Sequence, residues 1–455
     1  MTQLKNVIES PCGLRFMFDQ LELQSGFARR WLLDSSMMTN EAQVEACYGE
    51  VRRFVAFINQ VDRTYIDTLC HKLCDLKDIR TTIRNLSGKA ILDDIELFEV
   101  KHLALLASDV TSLLARHGMD DVVEIPDLDE VIGILDPDGL KIATFYIYDA
   151  YSEPLKELRR QMRQHPEQQD ELLLQASELE AAVRERLSLQ LHPFTALIEQ
   201  ALIALARIDV NLAKASQMRQ WGLCFPVVST DDTSAYHAMF NPQVQDALAQ
   251  RGRASQPVDI TIGLTPTLIT GANMGGKTVV LKTLTLCQLL FQFGFGIPAA
   301  SARIALKDEI RFCIGDEQSV EKGLSSFAAE MKNIDDVIMV SRRDCRLLAL
   351  IDEPARTTNP VEGTALVAAL LQVLAGKNMC LVMTTHYDIE PGRARCLRVR
   401  GFDNGKMDYS LVEVQDGEVP HEALNIAASM GIDSEWIDTA RAMLLAAKEK
   451  REYNH

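Results

Sequence analysis

Apolar residues recur at three- and four-residue spacing over most of the first 215 positions. An apolar stripe with a period near 3.6 residues marks an amphipathic helix. The pattern predicts helices over 100–117, 146–164, 169–189 and 196–219. The second and third are separated by the polar tip His165-Pro166-Glu167, where proline interrupts the run, so they read as a helical hairpin. A bundle packed on itself is enough to explain these stripes. From about position 220 the pattern changes. Short apolar runs at 267–270, 311–314, 347–351 and 380–383 have the length of buried strands, with Pro266 tolerable at the entry of the first. Helical segments fall between them at 277–291, 325–341 and 363–375. That alternation predicts a mostly parallel sheet with helices on its faces. The tail over 422–453 reads as two helices broken at Gly431-Ile432-Asp433.

The run between the first strand and its helix is Gly271-Ala272-Asn273-Met274-Gly275-Gly276-Lys277-Thr278, which fits G-x-x-x-x-G-K-[ST]. Glycines let the backbone curl so that successive N–H groups point at phosphate oxygens, and the helix N-terminus adds favourable partial charge. Lys277 is expected to reach the β- and γ-phosphates, and Thr278 to place its hydroxyl on Mg²⁺. The fold class that follows is an α/β P-loop NTPase domain preceded by an all-α region, with ATP and Mg²⁺ as its ligands. The apolar run 347–351 ends in Asp352-Glu353, two carboxylates delivered to the phosphate end of a parallel sheet. Asp352 is expected to hold the Mg²⁺ shell and Glu353 to orient or deprotonate the attacking water. Thr384-Thr385-His386 closes the next strand, which places His386 where it can sense the γ-phosphate.

Composition narrows the setting. The chain has 455 residues, 47% of them hydrophobic, which allows a large core in two or three domains. The balance of 47 basic against 64 acidic residues, net −17, disfavours broad contact with nucleic acid phosphates but leaves room for a local basic patch. The N-terminus lacks a secretion signal's apolar core, and no apolar stretch reaches the length of a membrane span. The ten cysteines are scattered rather than arrayed as a disulfide framework, so a reduced, cytoplasmic location is expected. Cys70, His71 and Cys74 lie close together without further ligands nearby, and buried or inert thiols are the expectation there.

Taken together, the motifs resemble the ATPase domain of the MutS family. Asn273-Met274-Gly275-Gly276-Lys277 is similar to its phosphate loop. Gly323-Leu324-Ser325-Ser326-Phe327 with Glu330-Met331 is similar to its signature helix start. Asp352-Glu353 and Thr385-His386-Tyr387 stand where the family has its acidic pair and histidine switch. Ile314-Gly315-Asp316-Glu317-Gln318-Ser319 and Thr358-Asn359-Pro360-Val361-Glu362-Gly363 resemble the second MutS subfamily, which is not dedicated to mismatch repair. The resemblance covers about 235–450, and more weakly 90–220. It divides the chain into an N-terminal helical region (1–90), a helical core and lever domain (91–219), the ATPase domain (220–420) and a C-terminal dimerising segment (421–455).

The resemblance implies a head-to-tail pair of ATPase domains, in a homodimer or a heterodimer with a related chain. Ser325 would reach the γ-phosphate bound by the other subunit, Asn359 would lie in a loop crossing the interface, and the helices at 423–430 and 434–448 would pair the subunits. The chain departs from the family at Ala272, Pro354-Ala355-Arg356-Thr357 and His421-Glu422-Ala423. Either Tyr236 or Phe240 could stack on adenine, and either could equally be core. About 90 residues precede the helical core and contain no Phe-x-Glu wedge, and no nuclease extension is expected after Lys448. The tip between Glu153 and Arg186 carries six basic against eight acidic residues, net −2, where a DNA clamp should be basic. Two clients therefore stand: DNA, bound weakly and without mismatch preference, or a protein, as for MutS-like ATPases that reactivate cobalamin-dependent aminomutases.

Overall fold

The computed structural model describes residues 2–164, 169–271, 276–314, 326–403, 406–414 and 432–452. Outside these lie the tip at 165–168, the loop residues Ala272, Asn273, Met274 and Gly275, the signature residues up to Ser325, and the first tail helix expected at 423–430. The chain forms two compact units: Leu21–Ser35 with Tyr48–Gln217, and Met1–Gln20 with Ser36–Cys47 and Met218–His455. The units thus interleave along the chain, whereas the sequence reading offered consecutive stretches.

The first unit is helical. Its helix Asp94–Ala115 begins six residues before the apolar stripe suggests, because Asp93 and Glu96 form a capping box that satisfies the first N–H groups. Its core includes Leu97, Val100, Leu103 and Leu114. Lys101 is also fully buried on this helix, with Asp136 Oδ1 at 3.0 Å, the Thr144 carbonyl at 3.2 Å and the Tyr148 hydroxyl at 2.9 Å. The helix expected over 146–164 is shorter, Glu153–Gln164, preceded by a three-residue 3₁₀ turn at Asp149–Tyr151. Pro154 sets that start, since its ring tolerates only the first turn of a helix. This helix packs on Gln169–Leu191, with Arg159 reaching Glu180 at 2.9 Å. Burial pushes the half-buried Cys70 thiol up to about 11, while Cys74 is exposed.

The second unit is α/β. Its strands are β1 (Val227–Val228), β2 (Ser234–Met239), β3 (Val258–Ile262), β4 (Thr267–Thr270), β5 (Ser301–Ile304), β6 (Glu309–Cys313), β7 (Leu347–Ile351), β8 (Met379–Thr384), β9 (Arg395–Asp403) and β10 (Lys406–Glu413). The helices around them are α1 (Pro242–Ala249), α2 (Lys277–Gln292), α3 (Ser326–Val340) and α4 (Pro360–Leu374). A six-stranded sheet runs β10-β9-β4-β8-β7-β6, parallel except for β10, and a four-stranded sheet runs β1-β5-β2-β3.

Strands β4, β7 and β8 are buried along their whole length, which is why they read as continuous apolar runs. Leu268, Ala349, Ile351, Leu381 and Met383 form one core with Val337 of α3 and Val367 and Leu371 of α4. Helix α2 is buried on nearly all sides, including Leu281, Leu284, Cys287 and Phe291. Its two interior glutamines are bonded, Gln288 to Ala305 O and Gln292 to Met38 O and Lys307 O. The bond from Met38 N to Gln292 O and that from Arg346 to Thr39 O explain why 36–47 belongs to this unit. Among the described residues no helix is long and apolar enough to cross a membrane.

Candidate nucleotide site

Parallel register decides what meets at the sheet's C-terminal edge. Thr270, Ile351 and Thr384 end three neighbouring strands, so the residues after them emerge side by side. Gly271 follows β4 with φ of 132°, and Gly276 caps α2 with φ of 76°. Both are backbone conformations that a side chain disfavours. A Cβ on Gly276 would also stand 3.1 Å from the ring of Tyr409.

The first helical residue, Lys277, is buried. Its Nζ donates to the Gly271 carbonyl at 2.8 Å and lies 3.2 Å from Glu353 Oε1. Thr278 donates its hydroxyl to Asp352 Oδ2 at 2.7 Å. The other carboxylate oxygen, Oδ1, accepts from the Thr384 hydroxyl at 2.6 Å, and that hydroxyl in turn accepts the Glu353 N–H at 2.9 Å. The structure therefore brings Lys277, Thr278, Asp352 and Glu353 into one bonded network. Thr384, to which sequence reasoning gave no role, is its hub. The signal was present: a hydroxyl residue at the end of a strand whose neighbour in the sheet ends in two carboxylates.

His386 is half-buried, with Nδ1 sealed from solvent and without a hydrogen-bond partner among the described residues, and its ring centroid lies 4.2 Å from that of Tyr387. Asn359 is exposed and caps α4, accepting the Val361 N–H at 2.9 Å. That is an ordinary N-cap geometry. Asn273, Met274, Gly275 and Ser325 lie outside the described residues.

Beside Gly276 opens a cavity of about 350 Å³ lined by Phe240, Val244, Leu248, Val258, Val279 and Tyr409. Phe240 therefore faces the cavity, whereas Tyr236 is core, 4% exposed, with burial pushing its hydroxyl pKa up. Tyr409 is aimed at Gly276 from a bulge in β10 between Asp408 and Leu411. Gln256 braces that bulge, accepting the Tyr409 N–H at 3.1 Å and donating to Asp408 at 2.8 Å.

Residues 267–404, which carry this network, match the family model described as MutS domain V. Over that stretch the chain is similar to the MutS family. The curated relatives similar to this chain are named Endonuclease MutS2. The Endonuclease MutS2 of Caldicellulosiruptor bescii is 28% identical over 409 residues, 85% of this chain and 48% of the relative. Those of Streptococcus gordonii and Leuconostoc mesenteroides are each 35% identical, over 208 and 288 residues. These alignments cover 45% and 60% of this chain but 26% and 34% of the relatives. The chain thus spans about half the length, or less, of the MutS2 relatives it matches.

Proposed function

We propose that this MutS-like chain binds ATP with Mg²⁺ above β4, hydrolyses it, and uses it to drive a dimeric switch. The observation that carries the reading is the joined network of Lys277, Thr278, Asp352, Thr384 and Glu353. Triphosphate oxygens would compete with Glu353 for the Lys277 ammonium and so release the carboxylate to orient water. Thr278 and Asp352 are the residues that would hold Mg²⁺, and their hydroxyl–carboxylate pair suits a hard cation. When bound, the ion offsets charge on the β- and γ-phosphates. The cavity lined by Phe240 and Tyr409 has the size and apolar walls for the adenine. The Nδ1 of His386, sealed and unpartnered among the described residues, supports a sensor role beside the γ-phosphate.

The test is turnover. Glu353→Gln should keep ATP affinity and slow hydrolysis about 10²-fold or more, whereas Lys277→Ala should weaken binding. Wild-type turnover in Glu353→Gln would remove the assignment. The same variant with ATP should accumulate a dimer by light scattering, weakened by Ser325→Ala. An ATP-bound monomer at high concentration, with any related chain also present, would sink the dimeric model.

For the client, the proposal is nucleic acid bound without mismatch preference. The MutS2 relatives, which are longer than this chain, are named as endonucleases. The acidic balance along 153–186 and the net charge of −17 argue for weak, salt-sensitive binding. Competition between matched and single-mismatch duplexes decides it: a tenfold preference, about 1.4 kcal/mol, would overturn the reading. Absence of binding even at low salt would favour a protein client.

A further inference from the structure

The turn after β7, which presents Glu353, is strained. Glu353 and Ala355 have φ of 44° and 61°, although neither is glycine. Left-handed backbone is costly for a residue with a Cβ, and it persists only where neighbours fix it. Besides Thr384, which holds the Glu353 N–H, two side chains grip a single residue of this turn. The Glu330 carboxylate of α3 accepts the Ala355 N–H at 2.9 Å, and the Tyr387 hydroxyl donates to the Ala355 carbonyl at 2.7 Å. Ala355 is fully buried; its N–H depends on Glu330, and its carbonyl accepts from Tyr387 and, at a longer 3.3 Å, from the Thr358 N–H. Tyr387 reaches it past Gly363 of α4. A Cβ there would lie 2.2 Å from the hydroxyl oxygen, so only glycine admits the contact. Tyr387 is itself set by its N–H, which donates to Thr385 Oγ1 at 3.0 Å.

We propose that Glu330 and Tyr387 are positioning residues for Glu353. They belong to the two elements that adjoin Ser325 and His386 in the chain: α3 begins at Ser326, and Tyr387 directly follows His386. A shift of α3, or of 386–387, pulls on Ala355 and so moves the carboxylate two residues before it. The turn thus couples the orientation of the water-activating carboxylate to the helix and the histidine on either side. This proposal rests on the reading of Glu353 given above.

The experiment uses the full chain and reads kcat, KM and equilibrium ATP affinity separately. Tyr387→Phe and Glu330→Ala should lower kcat about tenfold and leave KM and affinity within about twofold. Glu330→Gln keeps an oxygen that accepts the Ala355 N–H, and should recover most of the rate. Gly363→Ala displaces the Tyr387 hydroxyl without removing it, and should match Tyr387→Phe. In a Glu353→Gln background Tyr387→Phe should have no further effect, since its action passes through Glu353. Folded variants that turn over within about twofold of wild type overturn the proposal if Glu353→Gln is slow. So does an equal slowing by Tyr387→Phe in both backgrounds, which marks a merely structural role. A Glu353→Gln protein at the wild-type rate instead removes the underlying reading, and this proposal with it.

Discussion

Replacing Thr384 by valine removes one oxygen from the centre of the network and little else. Thr384 is fully buried and valine has nearly its shape, so no cavity opens. Two bonds go: the one donated to Asp352 Oδ1 at 2.6 Å and the one accepted from the Glu353 N–H at 2.9 Å. A bond to a charged group contributes about 1.5–3 kcal/mol, and a buried N–H left without a partner costs about 1–3 kcal/mol. Asp352 keeps the Thr278 hydroxyl at 2.7 Å, so it is not stranded, and the two losses share an environment and do not add in full. The expected destabilisation is about 3 kcal/mol, a large share of the 5–15 kcal/mol or so that holds a domain together. It should appear as a lower urea midpoint for the α/β unit at unchanged slope. Turnover should fall with it, because the Glu353 turn loses one of its ties. Thr384→Ser keeps the oxygen and should restore both. If the valine and serine proteins unfold at the same urea concentration and hydrolyse ATP equally fast, the Thr384 bridge carries neither stability nor catalysis.

Lys101→Met should destabilise the helical unit by about 3–5 kcal/mol in urea unfolding, because Asp136 is left buried without its cation; Lys101→Met with Asp136→Leu should recover much of the loss, and a single variant as stable as wild type would refute the pairing. Gly276→Ala should weaken ATP affinity about tenfold, since φ of 76° and the Tyr409 ring both oppose a Cβ, and unchanged affinity in a titration would contradict this. The Asp408 carboxyl is held down at about 2, from an ordinary 3.8, by the Ser410 hydroxyl, the Gln256 amide and the Ser410 N–H. A depressed carboxyl stabilises the fold above its unfolded value and loses that contribution as the pH falls. The urea-midpoint gap between wild type and Asp408→Asn should therefore shrink from about pH 4 toward pH 2, and a gap constant from pH 7 to pH 2 would show that the ionised carboxyl contributes nothing.

Much of the α/β unit was legible in the chain. Strands at Thr267–Thr270 and Leu347–Ile351 lie where their apolar runs predict them, because a strand buried on both faces leaves a continuous signature. Strand β3 alternates buried and exposed residues and was legible in principle, although its five residues did not stand out. The β9–β10 hairpin also had a signal, Asn404-Gly405 between the paired Asp403 and Lys406. Residues 146–152 read as helix from their apolar spacing, yet Pro154 and the ties of Thr144 and Tyr148 to Lys101 took that segment out of the helix.

For the site, the sequence by itself determined the participants that local chemistry requires: glycines where the backbone must curl, a lysine and a threonine at a helix start, and two carboxylates at a strand end. Their spacing along the chain suffices because each motif lies within one strand–loop or loop–helix junction. Only the tertiary structure decided that Thr384 ties Asp352 to Glu353, that Gln256 braces Tyr409 toward Gly276, and that Glu330, Tyr387 and Gly363 converge on Ala355. Each of these contacts joins residues brought together by sheet order or helix packing. Neither the order of strands nor the face on which a helix lands leaves a periodic trace in the residues that come to touch.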